Sequence, residues 1–314
     1  MKKVVLIATG GTIASKTKED SGLLAAGELT GEELTSMFDL PTHVNLVIDS
    51  FTQKPSIHLT FQDWVQLNQR IQEYLNDSTV DGIVVTHGTD TLEETAYFLD
   101  LTVNSTKPII ITGSQRAPEA LGSDAYINIR YAILTACEKN LSDFGTVVVF
   151  NERIFSARYV KKEHASNIQG FNSFGFGYLG IIDNDEVILY QKPIKREYLE
   201  LGDQIPRVDI IKTYLNADGV HIDASVNSGA AGIVLEGVGR GQVTPEMVSS
   251  IKNAMDKNVR VVLTTSAEEG HVYTTYDYHG SAYELSTIGV ELGEDLDSKK
   301  ARIKLAVALS TNKT

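Results

Sequence analysis

Short runs of β-branched and other apolar residues recur along the chain, each followed by a longer segment of mixed polarity. In the first half of the chain the runs are Val4–Ala8, Gly82–Thr86, Pro108–Thr112 and Gly145–Phe150. Near-continuous apolar runs of this length are typical of strands buried on both faces of a parallel sheet. Since parallel neighbours need a crossover between them, usually a helix, the pattern predicts an α/β fold.

The segment that starts at Thr60 indicates what lies between the strands. Thr60 and Asp63 resemble a capping box, with Asp in place of the usual Glu or Gln. Apolar side chains then recur at helical spacing, at Trp64, Leu67, Ile71 and Leu75. We therefore predict an amphipathic helix whose apolar face packs in the core.

The same alternation returns in the second half of the chain. Strands are predicted at Val208–Ile211, Gly232–Leu235 and Val259–Thr264. Between the last two, Thr244 is predicted to cap a helix that carries Met247, Ile251 and Met255.

The stretch between the two halves is polar and bounded by prolines, which is typical of a linker. We predict two α/β domains joined by this linker at residues 192–206. The larger domain, residues 1–191, would have a mostly parallel sheet flanked by helices. The smaller, residues 207–314, would have a parallel sheet of its own.

The charge of the chain argues against two classes of partner. The formal net charge is −13 and the sequence pI is about 5.0. An acidic surface repels phosphate, so we expect neither a nucleic acid nor a membrane as a partner. The apolar run after Lys3 is too short for a signal peptide, and no run approaches the roughly 20 residues of a membrane helix. We therefore expect a cytoplasmic protein.

Metal and thiol chemistry are also disfavoured. Cys137 is the single cysteine, and it lies in an apolar run, where a buried, inert thiol is expected. No Cys/His cluster has the spacing of zinc ligands, so we expect neither a metal nor another cofactor.

The first strand is followed by the loop Thr9–Thr12, in which two glycines precede a threonine. Ligands of parallel sheets bind beyond the carboxyl ends of the strands. Glycines allow backbone N–H groups to approach a ligand, and Thr12 adds a hydroxyl. The loop lacks the spacing of nucleotide-binding motifs. Taken alone, it is as compatible with a simple tight turn as with a catalytic loop.

A second loop of this kind, Thr86–Thr91, follows another predicted strand. Asp90 or Thr91 could cap the next helix, or Asp90 could bind a substrate ammonium group. His87 is more consistent with a structural residue than with a general base. Further along, Lys161 and Lys162 form a basic pair that, taken alone, is expected to be solvated. A desolvated lysine would instead activate a hydroxyl.

Both loops resemble signatures of the bacterial-type L-asparaginase family, which includes glutaminase-asparaginases. Ala8–Ala14 matches the first signature, and Asp81–Thr91 matches the second, with the similarity continuing to Leu99. Weaker similarity spans the rest of the chain, at residues 112–116, 157–162, 237–239 and 300–303.

The resemblance implies an enzyme that hydrolyses L-asparagine to L-aspartate and ammonia, with minor activity on glutamine. It implies that Thr12 is the nucleophile and forms an acyl-enzyme. Thr89, Asp90 and Lys162 would form a second polar group, in which Asp90 also holds the substrate ammonium. The remaining implied contacts are Ser56 with the α-carboxylate, backbone amides near Gly88, Thr89 and Ser114 with the amide oxygen, and Ile57 at the rim. Homodimers or homotetramers are implied, with active sites near a subunit interface.

The chain departs from the family pattern in the loop after the first strand. Many members have a tyrosine there that contacts the nucleophile, whereas here Leu23 or Leu24 occupies the position and no tyrosine precedes Tyr74. We hypothesise that Tyr276 or Tyr278 of a neighbouring subunit substitutes for it. Ile57 is a second departure, because the family often has a polar residue there.

Two other functions fit the fold. One is an amidase for a larger amide, as in related amidotransferase subunits; those usually carry an additional N-terminal domain, for which we expect no room before Val4. The other is a catalytically silent ligand-binding protein, which the missing tyrosine would favour. The retention of four residues disfavours it: Thr12, Thr89, Asp90 and Lys162.

Overall fold

The structure is a computed structural model that describes residues 1–18, 20–21, 23–25, 27–30, 32–33 and 39–311. The chain forms two compact units, Met1–Tyr198 and Leu199–Thr314, so the boundary falls within the stretch predicted as a linker. Each unit is an α/β structure built around its own sheet, and the predicted fold class is confirmed.

The N-terminal unit is organised around an eight-stranded sheet. Its strands in chain order are β1 Lys2–Ala8, β2 Lys16–Thr17, β3 Leu24–Ala25, β4 Val44–Ser50, β5 Gly82–Thr86, β6 Ile109–Thr112, β7 Thr146–Phe150, β8 Arg153–Ser156, β9 Lys161–Lys162, β10 Phe171–Asn172, β11 Gly180–Asp183 and β12 Glu186–Leu189. The large sheet has the order β12-β11-β8-β7-β6-β5-β1-β4, while β2 pairs with β3 and β9 with β10.

Four of the five parallel strands of the large sheet, β1, β5, β6 and β7, are those that the apolar runs predicted, whereas β4 was not predicted. Strands β4, β1, β5, β6 and β7 are parallel neighbours, and β8, β11 and β12 extend the sheet antiparallel. All residues of β5, β6 and β7 are buried, which explains why their sequences are apolar without alternation.

Among the described residues of this unit, the fully bounded helices are α1 Phe61–Asn76, α2 Leu92–Thr102 and α3 Ala125–Ala136. The capping box predicted for α1 is confirmed: Thr60 Oγ1 accepts from Asp63 N at 3.2 Å, and the Asp63 carboxylate accepts from Thr60 N at 2.8 Å. Trp64 of α1 is buried, stacks on Phe98 of α2 at 4.8 Å between ring centroids, and donates to Thr95 Oγ1 at 2.9 Å.

Helix α2 is buried on nearly all sides, since ten of its eleven residues are buried. It contains the carboxyl group of Asp100, which accepts a hydrogen bond from Thr146 N at 3.0 Å. Burial raises the pKa of Asp100 to about 6. Arg196, which follows the last strand of the unit, lies 4.0 Å from this carboxylate. The contact ties the beginning of the predicted linker to the N-terminal unit.

The C-terminal unit contains a four-stranded, all-parallel sheet in the order β13-β14-β15-β16. The strands are β13 Val208–Lys212, β14 Gly232–Gly237, β15 Arg260–Thr265 and β16 Glu291–Leu292. The helices are α4 Val220–Asn227, α5 Pro245–Asp256, α6 Ala282–Thr287 and α7 Ser298–Ser310. Met247 and Ile251 of α5 are fully buried against the sheet, as predicted, and Met255 is partly buried.

The start of α5 differs in one detail from the prediction. Thr244 is the residue before the helix, and Pro245 occupies the first turn, where its missing N–H is not needed. The Thr244 hydroxyl does not cap the helix, however, because it donates to the Ala217 carbonyl at 2.6 Å.

Over the described ranges, no helix is both long enough and apolar enough to cross a membrane.

Candidate active site

Two loops leave the same edge of the large sheet side by side. Strands β1 and β5 are parallel neighbours, and their last residues, Ala8 and Thr86, lie opposite each other. The loop after β1 is attached to β5 by Thr9, whose N–H and hydroxyl both donate to the Thr86 carbonyl, at 3.1 and 2.8 Å. The structure therefore brings together the two loops that carry Thr12 and Thr89.

The loops touch through glycines. A Cβ atom on Gly11 would lie 2.3 Å from the Cα of Gly88, and Gly11 has a φ of 84° that other residues rarely adopt. A Cβ atom on Gly88 would in turn lie 2.9 Å from the Oγ of Ser56. Because only glycine permits this approach, Thr12, Thr89 and Ser56 are held within one small region.

Thr12 is half-buried at the start of a 3-10 turn, Thr12–Ala14, directly after Gly11. Its carbonyl accepts from Ser15 N at 3.0 Å, which fixes the backbone of the turn. Within the part of the chain that the structure describes, the Thr12 hydroxyl has no hydrogen-bond partner. The hydroxyl is thus held in place by the backbone and remains free to react.

A lysine connects the residues of the second loop. Lys162 Nζ donates to Thr89 Oγ1 at 2.8 Å and to Asp90 Oδ1 at 2.7 Å. The Lys162 side chain is only 14% exposed, whereas that of Asp90 is 69% exposed. The solvated basic pair expected from the sequence alone is therefore wrong for Lys162, whose ammonium group lies against a hydroxyl and a carboxylate.

Two residues around Lys162 were missed by the sequence analysis. Gln115 accepts from Thr89 Oγ1 through its Oε1 at 3.1 Å. Glu93 is buried in the first turn of α2, and its carboxylate accepts a hydrogen bond from the backbone N–H of Lys162. The only sequence signal for either was position: Gln115 follows β6, the neighbour of β5, and Glu93 lies just beyond the second loop.

The loop after β6 is held by a buried carboxylate. Asp124 accepts from the backbone N–H groups of Gln115 and Arg116, at 3.0 Å each. Ser114, also buried, donates its hydroxyl to the Arg116 carbonyl at 2.7 Å. The backbone N–H groups of Thr89 and Ser114 have no acceptor among the described residues. Both are therefore available as donors to a ligand.

Ser56 is buried at the start of a second 3-10 turn, and the following Ile57 is 67% exposed. The Ser56 carbonyl accepts from Thr91 Oγ1 at 3.0 Å. Helix α2 begins directly after Thr91 without a side-chain cap. Of the two roles considered for this loop, capping is thus wrong: Thr91 binds Ser56, and Asp90 binds Lys162.

His87 is fully buried and has a structural role. Its Nδ1 lies 2.7 Å from the Gly88 carbonyl, and its Nε2 lies 2.9 Å from Thr95 Oγ1. Since a carbonyl only accepts, Nδ1 carries the hydrogen and Nε2 accepts from the threonine. Burial lowers the pKa of His87 to about 4. The imidazole is therefore neutral, with both nitrogens engaged.

This buried histidine predicts a specific sensitivity to acid. The unfolded chain takes up a proton near the ordinary pKa of 6.5, whereas folded His87 does so only near 4, so stability is lost as the pH falls between these values. From pH 7.5 to pH 5, we expect the free energy of unfolding, measured with urea, to fall by about 2 kcal/mol more in wild type than in His87→Gln. Asp100 is raised to about 6 and acts in the opposite direction, but equally in both proteins. His58→Gln, at an exposed histidine, should behave as wild type. Parallel losses in all three proteins would contradict the assignment.

The remaining predicted residues belong to the C-terminal unit and to the loop after β1. Tyr276 and Tyr278 belong to the C-terminal unit, are each 50% exposed, and have ring centroids 5.9 Å apart. Leu23 and Leu24 are exposed, near the short β2–β3 pair. In the same loop, Glu19, Gly22 and Ala26 lie outside the described residues.

Two further observations concern the single cysteine and the side chains that can bind metals. Cys137 is half-buried, and burial raises the pKa of its thiol to about 11, so it stays protonated. No group of three or more His, Cys, Asp or Glu side chains in the described ranges could hold a metal ion.

The fold and the site define a two-domain α/β protein with hydroxyl, lysine and carboxylate groups at the carboxyl edge of a parallel sheet. Sequence comparison agrees: residues 3–195 match the family "Asparaginase, N-terminal" and residues 207–314 match "Glutaminase/Asparaginase C-terminal domain". The chain belongs to the asparaginase family.

Individual relatives cover nearly the whole chain. An L-asparaginase of Bacillus licheniformis is 60% identical over 312 residues, covering 99% of this chain and 97% of that protein. A probable periplasmic L-asparaginase of Haemophilus influenzae is 32% identical, with 100% and 90% covered. The crystal structure of a probable cytoplasmic L-asparaginase from Campylobacter jejuni superimposes with a TM-score of 0.89 at 31% identity, with 99% and 96% covered.

Proposed function

We propose that this protein is an L-asparaginase, which hydrolyses L-asparagine to L-aspartate and ammonia and acts weakly on L-glutamine. The observation that carries the proposal is the contact of Lys162 Nζ with both Thr89 Oγ1 and Asp90 Oδ1, beside the loop of Thr12. A relative of 60% identity that is named L-asparaginase supports the choice of substrate.

In the proposed mechanism Thr12 is the nucleophile. Its Oγ1 gives up its proton and attacks the side-chain amide carbon, the C–N bond breaks, and the leaving NH2 group takes up that proton and departs as ammonia. Water then hydrolyses the resulting ester, which restores the Thr12 hydroxyl and releases L-aspartate. The free hydroxyl and the fixed backbone of Thr12 support this role.

The second polar group acts on protons and charge. Thr89 and Lys162 activate the attacking hydroxyl or water, and Asp90 holds the α-ammonium of the substrate. The exposure of Asp90 supports its role, since its carboxylate is accessible to a ligand while paired with Lys162.

The remaining contacts place the substrate. Ser56 binds the α-carboxylate, and Ile57 forms an apolar rim beside it. The N–H groups of Thr89 and Ser114, together with the Gly88 backbone, polarise the amide oxygen. Loss of one such donor typically slows a reaction by about 10²–10³-fold.

The experiment that tests the function measures ammonia and aspartate from the purified chain. L-asparagine, L-glutamine and both D-enantiomers are compared with a larger amide such as an N-acyl-asparagine. Release that is fastest from L-asparagine is the expected result. Release from the larger amide alone would favour an amidase of that class, and release from none would favour a ligand-binding protein.

We also propose that the enzyme acts as a homodimer or homotetramer and that Tyr276 or Tyr278 of a neighbouring subunit activates Thr12. The exposure of both tyrosines supports this, because a partner can reach them.

We propose the cytoplasm as the location of the enzyme, which its likeness to the probable cytoplasmic L-asparaginase from Campylobacter jejuni supports. Cell fractionation against marker enzymes tests the location.

The double variant Tyr276→Phe/Tyr278→Phe should lower kcat about 10²-fold, because the group that takes the Thr12 proton is lost. Mixed oligomers with Thr12→Ala subunits decide whether the tyrosine comes from another chain. Each mixed dimer would contain one intact site, so co-expression should recover about a quarter of the wild-type rate. Unchanged turnover of the double variant excludes both tyrosines, and no recovery on mixing places the tyrosine within one chain.

A further inference from the structure

Gln115 determines how the hydroxyl of Thr89 is used. This hydroxyl has one hydrogen to donate and two lone pairs to accept with. An ammonium group only donates, so Thr89 Oγ1 accepts in the 2.8 Å contact with Lys162 Nζ. Its own hydrogen must point elsewhere, and Gln115 Oε1 receives it at 3.1 Å.

The orientation of the Gln115 amide follows from a second contact. Its Nε2 donates to the backbone carbonyl of His164 at 3.2 Å. A carbonyl cannot donate, so the amide nitrogen must face His164 and the amide oxygen must face Thr89. In the reversed orientation, the amide oxygen of Gln115 would face the His164 carbonyl, so that two acceptors meet. Its NH2 group would face the Thr89 hydroxyl, so that two donors meet.

The surroundings hold Gln115 in this position. Its backbone N–H donates to buried Asp124 at 3.0 Å. Gly170 lies against the amide, and a Cβ atom there would be 2.0 Å from Gln115 Nε2. The Gly170 carbonyl accepts from the N–H groups of Glu163 and His164, at 2.8 and 3.2 Å. Gln115 therefore bridges Thr89 to the segment that directly follows Lys162.

We propose that Gln115 is a positioning residue that fixes the direction of the hydrogen bonds at Thr89. By receiving the Thr89 hydrogen, it keeps one lone pair of Thr89 directed at Lys162. The second lone pair is left for a donor in the substrate site, such as the water that hydrolyses the acyl-enzyme. The kinetic consequence of this inference rests on the proposed asparaginase function, whereas its geometric consequence does not.

The kinetic test uses Gln115→Met, which keeps the length of the side chain and removes the amide. We expect kcat for L-asparagine to fall about tenfold, the effect of losing one hydrogen bond. KM should stay within about twofold, because a positioning residue acts on the substrate only through Thr89. Gln115→Glu keeps an acceptor oxygen for Thr89 and should restore kcat at pH 8 to within about threefold of wild type. Gln169→Met, the same change at an exposed site of the same segment, is the matched control.

The possible outcomes distinguish a positioning role of Gln115 from a role in packing alone. Equal falls in kcat for Gln115→Met and Gln115→Glu, or a raised KM with unchanged kcat, would overturn the proposal. Crystal structures of wild type and Gln115→Met supply a readout without substrate. Thr89 should rotate and lose its contact with Lys162 in the variant, and an unchanged contact would overturn the inference. Absence of asparagine turnover in wild type would instead overturn the proposed function, and the crystal structures would still decide on Gln115.

Discussion

Thr12→Ala should release ammonia from L-asparagine about 10⁴-fold more slowly than wild type, because the substitution removes the proposed nucleophile. The loss should appear in kcat, measured with a coupled ammonia assay at saturating substrate. The fold should survive, since the Thr12 hydroxyl has no hydrogen-bond partner among the described residues. We therefore expect the free energy of unfolding to change by less than about 1 kcal/mol.

Two further substitutions make this result specific. Thr12→Ser keeps a hydroxyl at the same place and should retain activity within about tenfold of wild type. Thr17→Ala, at an exposed threonine in β2, should leave kcat unchanged. Equal rates for Thr12→Ala and wild type would remove Thr12 from the mechanism and direct attention to Thr89, the other hydroxyl of the site.

Lys162→Met should lower kcat about 10³-fold, the second largest effect that we expect. The substitution removes the ammonium group that contacts both Thr89 Oγ1 and Asp90 Oδ1. Methionine fills a similar volume, so the loss reflects charge and hydrogen bonding more than packing. Measurement of kcat and KM for L-asparagine, with thermal unfolding of the same samples, separates catalysis from stability.

The neighbouring residue provides the control for this prediction. Lys161 precedes Lys162 in strand β9, and successive strand residues point to opposite faces. Lys161→Met should therefore keep kcat within about threefold of wild type. Lys162→Arg should not restore activity, because the N–H groups of a longer, planar guanidinium point in fixed directions that differ from those of the ammonium nitrogen that donates to both partners. Similar falls for Lys161→Met and Lys162→Met would attribute the effect to the charge of the strand as a whole.

The strands and helices were predictable because their signals are local. An apolar run such as Gly82–Thr86 shows directly that its residues are buried on both faces, and the strand has the predicted bounds. The capping box at Thr60 is contained in four consecutive residues. The same locality explains the detail that failed at Thr244, since its hydroxyl donates to Ala217, 27 positions earlier.

The site was only partly predictable for the same reason. Thr12 and Thr89 stand out because each follows a buried strand, and parallel strands place their carboxyl ends at one edge. Gln115 and Glu93 have no comparable signal in the sequence. Their importance comes from contacts with Thr89 and Lys162 across 26 and 69 residues, which depend on the neighbour relations of β5, β6 and α2.

The sequence by itself therefore determined the class of fold, the two threonine loops and the family resemblance. Each of these follows from short segments of sequence, because apolar periodicity and turn residues depend only on residues close together in the chain. Tertiary structure alone decided that Lys162 is largely buried and donates hydrogen bonds to Thr89 and Asp90, and that Gln115 accepts the Thr89 hydrogen. The physical reason is that a hydrogen bond is set by distance and direction in space, and strand order brings together groups that lie 26 to 73 positions apart in the chain.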